Sequence, residues 1–213
     1  MPVRKWRENS DRICTYLQSS PLFTQAKTVL AYFSFRQEPD LSPLFVDNRR
    51  WGFPRCVGDS LMWHICIPGE STSKGAYGIL EPHPDAPILQ PDEVDLILVP
   101  SVACDVRGYR LGYGGGYYDR LLSSSRWAHQ PTIGIAFEFA ISPELPIDEW
   151  DKPLHGVCTE TGLRMMRWIQ FSNFWFPRRG QCPLRSNHLL LASIGLDQYI
   201  HIIWHNDVNC KCL

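Results

Sequence analysis

The sequence predicts an α/β fold, a single three-layer α/β/α domain around a largely parallel sheet. Three observations lead there. Short apolar runs at 28–33, 96–99 and 131–137 have the length of buried strands. Helical or turn-rich segments separate them, the alternation expected of a parallel sheet with helices on its faces. A glycine-rich segment directly follows the central run, and ligands of open α/β sheets gather beyond the carboxyl ends of the strands.

The size and charge of the chain narrow the classes. A chain of 213 residues suffices for one domain with a substantial core. A formal net charge of −1 leaves no phosphate-binding footprint, so a nucleic-acid module is not expected. No apolar stretch is long enough to span a bilayer, and Met1 to Glu8 lacks the apolar centre of a signal peptide. A cytoplasmic monomer is expected. Eight cysteines would suggest disulfides only in a small secreted chain. Cys14, Cys56, Cys66, Cys104 and Cys158 lie in or beside apolar runs and read as buried thiols. Cys210-x-Cys212 has no second pair to complete a zinc site.

The elements follow in order. Residues 3–18 read as a helix, with Ile13, Tyr16 and Leu17 on one side and Trp6 and Ser10 at helical spacing. Ser19-Ser20-Pro21 ends it. Residues 28–33 form a core strand, followed by a loop that contains Glu38. Residues 49–57 lead into a second unit, and 61–67 read as a strand in which His64 is a packed residue rather than a base. Pro82, Pro84, Pro87 and Pro91 stiffen the connection to the central strand. That strand, 96–99, should end at Pro100. A short helix is expected at Tyr117 to Leu122, with 126–130 closing the helical segment, and a strand follows at 131–137. Residues 157–160 close the domain, which spans 1–168. The segment 169–213 is atypical. From 171 onward it holds no glutamate, two aspartates and three of the seven histidines, and it is expected to pack loosely or remain disordered.

The central stretch carries the chemistry. Arg110-Leu111-Gly112-Tyr113-Gly114-Gly115-Gly116-Tyr117-Tyr118-Asp119 places four glycines in five residues. Glycine loses the most backbone entropy on folding, so such a run implies positive φ angles or a ligand against the backbone. Strand, glycine loop and helix can aim backbone N–H groups at an anion. Arg110 and Arg120 add charged donors, and Asp119 is an oxygen ligand suited to a hard cation such as Mg²⁺. The plain alternative is a tight connection whose tyrosines pack on a core. The run lacks the Lys-Ser/Thr ending of a P-loop and the spacing of a dinucleotide fingerprint.

The longer string from Val99 to Leu122 closely resembles the signature of the 5-formyltetrahydrofolate cyclo-ligase family, also called 5,10-methenyltetrahydrofolate synthetases. The match runs through Arg110, Gly112, Gly114, Gly116, Tyr117, Tyr118 and Asp119, with Asp105 and Gly108 upstream. The resemblance covers roughly residues 10 to 165. It implies a compact α/β/α domain in which Arg110 and the amides of Gly112 to Gly116 hold ATP phosphates and Asp119 supports Mg²⁺. Leu111 and Tyr113 belong to the same binding segment. Tyr117 and Tyr118 position the folate or pack the loop. Glu38 matches the glutamate that contacts the pterin, and its carboxylate suits an aminopyrimidinone edge. Gly75 to Pro82 resembles the substrate loop, where Tyr77 packs on the folate rings. Pro54-Arg55 matches a strand ending, and Asp151 is a second acidic candidate near the nucleotide. The family has a longer N-terminal helix that supplies basic residues to ATP; Arg4, Lys5 and Arg7 are the basic residues at hand. Two positions depart from its pattern: Ala140 stands for a glutamine and His155 for an aspartate.

The implied reaction is ATP- and Mg²⁺-dependent cyclisation of 5-formyltetrahydrofolate to 5,10-methenyltetrahydrofolate, ADP and phosphate. Arg110, Tyr117 and Asp119 are the catalytic candidates, and no side-chain nucleophile is needed. One alternative is an impaired homologue that binds folate or nucleotide without turnover. Another is a dinucleotide-dependent oxidoreductase, which would need its glycine turn near the first strand rather than in mid-chain.

Overall fold

The computed structural model describes residues 1–66, 72–75 and 77–166. The expectations for 169–213, the closing Cys210-x-Cys212 included, lie outside the described residues. The helices are α1 (Val3–Gln18), α2 (Pro21–Thr24) and α3 (Tyr117–Ser123). The strands are β1 (Thr28–Leu30), β2 (Arg50–Val57), β3 (Ser60–Ile65), β4 (Thr72–Lys74), β5 (Leu80–Pro82), β6 (Leu96–Pro100), β7 (Ala103–Asp105), β8 (Arg110–Leu111), β9 (Thr132–Ile135), β10 (Ile141–Ser142), β11 (Gly156–Thr159) and β12 (Gly162–Met165).

The main sheet has the order β12-β11-β9-β6-β1-β2-β3. β11, β9, β6, β1 and β2 run parallel, and antiparallel β12 and β3 close the two edges. The central strands are buried on both faces, which is why they read as unbroken apolar runs. Alternate side chains part to the two faces. Val29, Leu96, Leu98, Ile133, Ile135 and Cys158 join Ile13, Cys14, Leu17 and Phe23 in the cluster beneath α1 and α2. Leu30, Ile97 and Val99 join Leu121, Leu122 and Leu154 in the cluster beneath α3. Three layers result.

Local chemistry sets the boundaries. α1 buries Ser10, Ile13, Cys14 and Leu17 along one stripe, and Tyr16 is only half-buried. β1 is shorter than the apolar run 28–33. Ala31 N–H still reaches Gly52 O at 2.9 Å, after which the chain leaves the ladder and the Tyr32 hydroxyl donates to Pro39 O. Pro54 sits inside β2 because it opposes Trp63 in a pair that needs no donor there; Trp63 O accepts Leu89 N–H instead. β3 stops at Ile65, before the expected 67. His64 is buried with Nδ1 2.7 Å from Ala86 O, a packed histidine as expected. Cys14, Cys66, Cys104 and Cys158 are buried, whereas Cys56 is half-exposed and corrects the expectation for that thiol.

Several elements differ from expectation. α3 ends at Ser123, within one residue of the expected Leu122, but helix does not extend to 126–130: those residues are turns, because Ser124 N–H bonds back to Leu121 O, a three-residue spacing that breaks the α pattern. The expected substrate loop, Gly75 to Pro82, includes β5, which pairs with β4 in a hairpin, and a small β10-β7-β8 sheet adds to the expected strands. β12 adds a further strand, paired antiparallel with β11 across the tight turn at Glu160-Thr161. Among the described residues, no helix is long and apolar enough to cross a membrane.

Candidate active site at the carboxyl edge of the sheet

Three parallel strands deliver the candidate residues to one edge. β1 runs on to a tight turn at Phe35–Glu38. β2 ends at the Gly58-Asp59 turn. β6 leads through the β7–β8 hairpin to the glycine loop and α3.

The base of that hairpin is fixed by Asp105, whose side chain is fully buried. Its carboxylate accepts the N–H groups of Arg107, Tyr109 and Leu145 and pairs with the Arg107 guanidinium at 2.8 Å. Burial alone would raise the Asp105 carboxyl. The Arg107 side chain and the three amides outweigh it and hold the group below the usual range. Gly108 completes the turn at φ +93°, and a Cβ there would lie 2.8 Å from Leu154 O. Asp105 and Gly108 are thus the scaffold of the loop.

Within the loop, Gly114 and Gly116 have φ of +84° and +67°, so two of the four glycines meet the conformational requirement directly. The other two answer to crowding. A Cβ on Gly112 would lie 2.9 Å from Arg110 Nη1, and one on Gly115 3.1 Å from the Tyr117 ring. Arg120 Nε donates to Asp59 O at 2.6 Å and Nη2 to Gly115 O at 2.9 Å. Arg120 therefore braces the loop against the β2–β3 turn, and its guanidinium packs 5.0 Å from the centre of the Tyr117 ring.

Arg110 lies at the root of the loop with its side chain 5 % exposed. Nη2 donates to Asp119 Oδ1 at 2.6 Å, and the guanidinium stands 5.3 Å over the Tyr118 ring. Its Nε and the Tyr118 hydroxyl are buried without a hydrogen-bond partner. Burial raises the Tyr118 hydroxyl well above its ordinary value, against the pull of Arg110. A buried orphan donor on a cation is costly unless something polar meets it.

Glu38 closes the Phe35–Glu38 turn. Arg36 and Gln37 both have positive φ, 48° and 61°. Non-glycine residues in that region cost on the order of 1 kcal/mol each, and such strain clusters at ligand sites. Trp6 Nε1 and the Ser34 hydroxyl hold the turn by donating to Glu38 O at 2.9 and 2.7 Å. The Glu38 carboxylate accepts Phe35 N–H, and burial pushes its carboxyl up to about 7. Burial, and to a smaller extent the Glu38 charge, raises the Tyr113 and Tyr118 hydroxyls. Phe35 meets Tyr113 edge-on at 6.3 Å, and Arg36 packs over Phe35.

Tyr77 reaches the site from the β4–β5 hairpin. Its hydroxyl lies 3.1 Å from that of Tyr117, whose own hydroxyl donates to Gly58 O at 3.2 Å. The contact with Tyr77, then burial, pushes the Tyr117 hydroxyl up to about 12. Burial also raises the neighbouring Cys56 thiol. Leu111 and Tyr113 are exposed at the loop surface.

The remaining candidates stand apart. Asp151 Oδ2 accepts Asp148 N–H at 2.8 Å, and the Trp150 carbonyl beside it accepts the Ser123 hydroxyl at the far end of α3 from Asp119. Among the described residues, no three His, Cys, Asp or Glu side chains gather into a metal-binding group. Ala140 ends a short 3₁₀ turn. His155 Nδ1 lies 2.8 Å from the Thr132 hydroxyl at the amino end of β9, and burial lowers its pKa. Trp6, Cys56, Arg36 and Phe35 were missed as parts of this site. The contacts that place them here, Trp6 with Glu38, Cys56 with Glu81, and Phe35 and Arg36 with Tyr113, each cross 20 or more residues, and local pattern carries no trace of them.

Comparison with known proteins gives a consistent result. Residues 1–160 match the model of the 5-formyltetrahydrofolate cyclo-ligase family. The 5-formyltetrahydrofolate cyclo-ligase of Escherichia coli K12 is 32 % identical over 164 residues, covering 72 % of this chain and 88 % of that protein. A probable 5-formyltetrahydrofolate cyclo-ligase of Schizosaccharomyces pombe is 30 % identical over 166 residues, covering 69 % and 81 %. Among solved structures, the Aquifex aeolicus 5,10-methenyltetrahydrofolate synthetase superposes with a TM-score of 0.70 at 34 % identity, over 80 % of this chain and 87 % of that one. The Mycoplasma pneumoniae synthetase shares the fold, with a TM-score of 0.58 at 22 % identity over 75 % and 90 %.

Proposed function

The chain belongs to the 5-formyltetrahydrofolate cyclo-ligase family, and from that premise we propose that it cyclises 5-formyltetrahydrofolate to 5,10-methenyltetrahydrofolate at the expense of ATP. The observation that carries this reading beyond membership is Arg110. It is a nearly buried cation with an orphan Nε, at the root of a four-glycine loop, on the edge of the sheet where ligands collect.

The chemical difficulty is that an amide oxygen is a weak nucleophile and oxide a poor leaving group. Phosphorylating the formyl oxygen from ATP removes both obstacles. N10 can then attack the activated carbon, and phosphate departs. The protein needs no nucleophile of its own; it must align two substrates and stabilise charge on the transferring group. Arg110 supplies fixed positive charge, and the loop amides of Gly112 to Gly116 supply donors. Arg120 keeps the loop in place. Glu38 accepts the donors of the pterin edge. Tyr77, Tyr113, Tyr117 and Tyr118 offer ring surface to folate, and Leu111 borders the same segment. The Tyr118 hydroxyl, an orphan like Arg110 Nε, is a second polar contact for ligand.

The carboxylate of Asp119 suits a hard cation, and Asp119 is the residue that would hold Mg²⁺. An ion of this kind keeps several waters and binds chiefly through phosphates, so one carboxylate is enough to hold it. Asp151 is a second candidate that would have to release Asp148 N–H. Bound Mg²⁺ would screen charge on the phosphates and help orient them. A monomer is part of the same proposal. The buried thiols Cys14, Cys104 and Cys158 suit a reducing compartment such as the cytoplasm.

The test is direct. Purified protein with 5-formyltetrahydrofolate, ATP and Mg²⁺ should generate the near-ultraviolet absorbance of methenyltetrahydrofolate and release one ADP per product. Tight folate binding without turnover would leave only the impaired-homologue reading.

A further inference from the structure

The β4–β5 hairpin hangs on one buried carboxylate. Glu81 is 6 % exposed and, with Pro82 beside it, is buried in a hairpin whose other strand residues are half-exposed or open to solvent. Glu81 Oε1 accepts Cys56 N–H at 3.1 Å, and Oε2 lies 3.5 Å from Arg55 Nη1. Arg55 in turn donates to Pro82 O. Both ends of this clamp sit on β2, the strand that leads into the Gly58-Asp59 turn. On the hairpin side the carboxylate fills the place of a side chain at Gly75, where a Cβ would lie 2.3 Å from Glu81 Cδ. Gly75 N–H is bonded to Ile79 O at 2.8 Å, closing the short loop that carries Tyr77. The tip then meets the glycine loop through the Tyr77 and Tyr117 hydroxyls.

We propose that Glu81 is a positioning residue for folate binding: by seating the β4–β5 hairpin on β2, it brings Tyr77 to Tyr117. This rests on the reading of the site given above. Glu81 touches no reacting atom. A buried carboxylate with a cation and an amide as partners is costly to break and rigid when satisfied. That rigidity is what a loop needs if an exposed tyrosine at its tip is to be held in place before the substrate arrives.

Three variants test it: Glu81→Gln, Gly75→Ala and Tyr77→Ala. Glu81→Gln keeps the shape and the acceptor for Cys56 N–H but removes the charge facing Arg55. Gly75→Ala leaves Glu81 in place and forces it from the hairpin side. Each is expected to raise KM for 5-formyltetrahydrofolate about tenfold, with kcat and KM for ATP moving less than about twofold. In the Tyr77→Ala background Glu81→Gln should add little, because two residues acting through one contact are not additive. Should Glu81→Gln fail to fold, Gly75→Ala carries the same readout. Unchanged folate KM in both variants, or full additivity with Tyr77→Ala, would overturn the inference while leaving the proposed reaction standing. An inactive wild type that still binds folate would remove the reaction. The hairpin would then be read from folate Kd by protein fluorescence, with the same tenfold loss expected and an unchanged Kd sinking it.

Discussion

Replacing Glu38 by glutamine is expected to stabilise the protein at pH 8 and to weaken folate binding at the same time. Burial lifts the Glu38 carboxyl from the ordinary 4.5 to about 7, against the smaller opposing effect of the Phe35 N–H. Between those two values the folded chain retains a proton that the unfolded chain has released. Stability falls with rising pH wherever the folded state binds more protons. The penalty is therefore small at the lower value, grows through the window, and is fully present above about 7. At about 1.4 kcal/mol per tenfold change in proton affinity, the whole interval corresponds to ~3 kcal/mol. Glu38 is partly open to solvent, which screens the effect and leaves about 2 kcal/mol at pH 8. At pH 5 the same relation leaves about 0.5 kcal/mol.

Glutamine has the same shape, keeps an oxygen for Phe35 N–H and carries no charge. Urea unfolding of wild type and Glu38→Gln at pH 5 and pH 8 measures the difference. The variant should gain about 2 kcal/mol at pH 8 and only a few tenths at pH 5. Its KM for 5-formyltetrahydrofolate should rise about tenfold or more, because a charged acceptor is lost from the pterin edge. A variant damaged in its folding would lose on both counts, so the opposite signs are diagnostic. Parallel stability curves for the two proteins across this range would refute the desolvation of Glu38 and with it the electrostatic reasoning for its role.

Other expectations follow from the same site. Gly116→Ala forces φ +67° on a residue with a Cβ and places it 2.5 Å from Arg120 Nη1. Chemical denaturation should show a loss of about 1–2 kcal/mol, and KM for ATP should rise more than stability falls. Asp119→Asn should raise the Mg²⁺ concentration for half-maximal turnover about tenfold, and an unchanged Mg²⁺ titration would remove Asp119 from the site. Asp105→Asn points an amide at the N–H donors around a fully buried carboxylate and should cost about 3 kcal/mol in urea unfolding. The depressed Asp105 carboxyl stabilises the fold above its unfolded pKa, near 3.8, and that contribution is lost as pH falls through the lower folded value. The variant's extra instability should thus be fully present at neutral pH and shrink in acid.

The layers of the fold were legible because burial writes itself into local sequence. β6 and β9 are apolar on both faces, and α1 carries its stripe at helical spacing. The glycine loop was legible because unusual backbone requires an unusual residue, as Gly114 and Gly116 demonstrate. Short half-exposed strands were not legible: β12 and β4 have three or four residues and lack a distinctive pattern, whereas the longer, more apolar edge strand β3 could be read. Long-range pairings escaped for a different reason. The Trp6 contact with Glu38 and the Tyr77 contact with Tyr117 bridge 32 and 40 residues, and each partner taken alone is an ordinary aromatic or acidic side chain. Glu81 stood in plain view within the substrate-loop motif, but nothing in its neighbours announces that a hairpin glutamate will be buried.

Arg110 and Asp119 were read as separate partners for phosphate and for metal, yet they are bonded to each other at 2.6 Å. The two statements are compatible. An Arg110 side chain this deeply buried would be strongly destabilising without a counter-charge, so the unliganded site needs Asp119 where it is. On the proposed reading, phosphate and Mg²⁺ arrive together, and each residue exchanges one partner of opposite charge for another. ATP without its metal would reach Arg110 only by setting its own charge beside the Asp119 carboxylate. Free Mg²⁺ would leave Arg110 without a counter-charge. The pair therefore favours the metal–nucleotide complex over either component, a preference that comes from the closeness of two opposite charges and not from a dedicated metal cage. The orphan Nε of Arg110 points the same way: the guanidinium retains one donor for a ligand even while Asp119 occupies another.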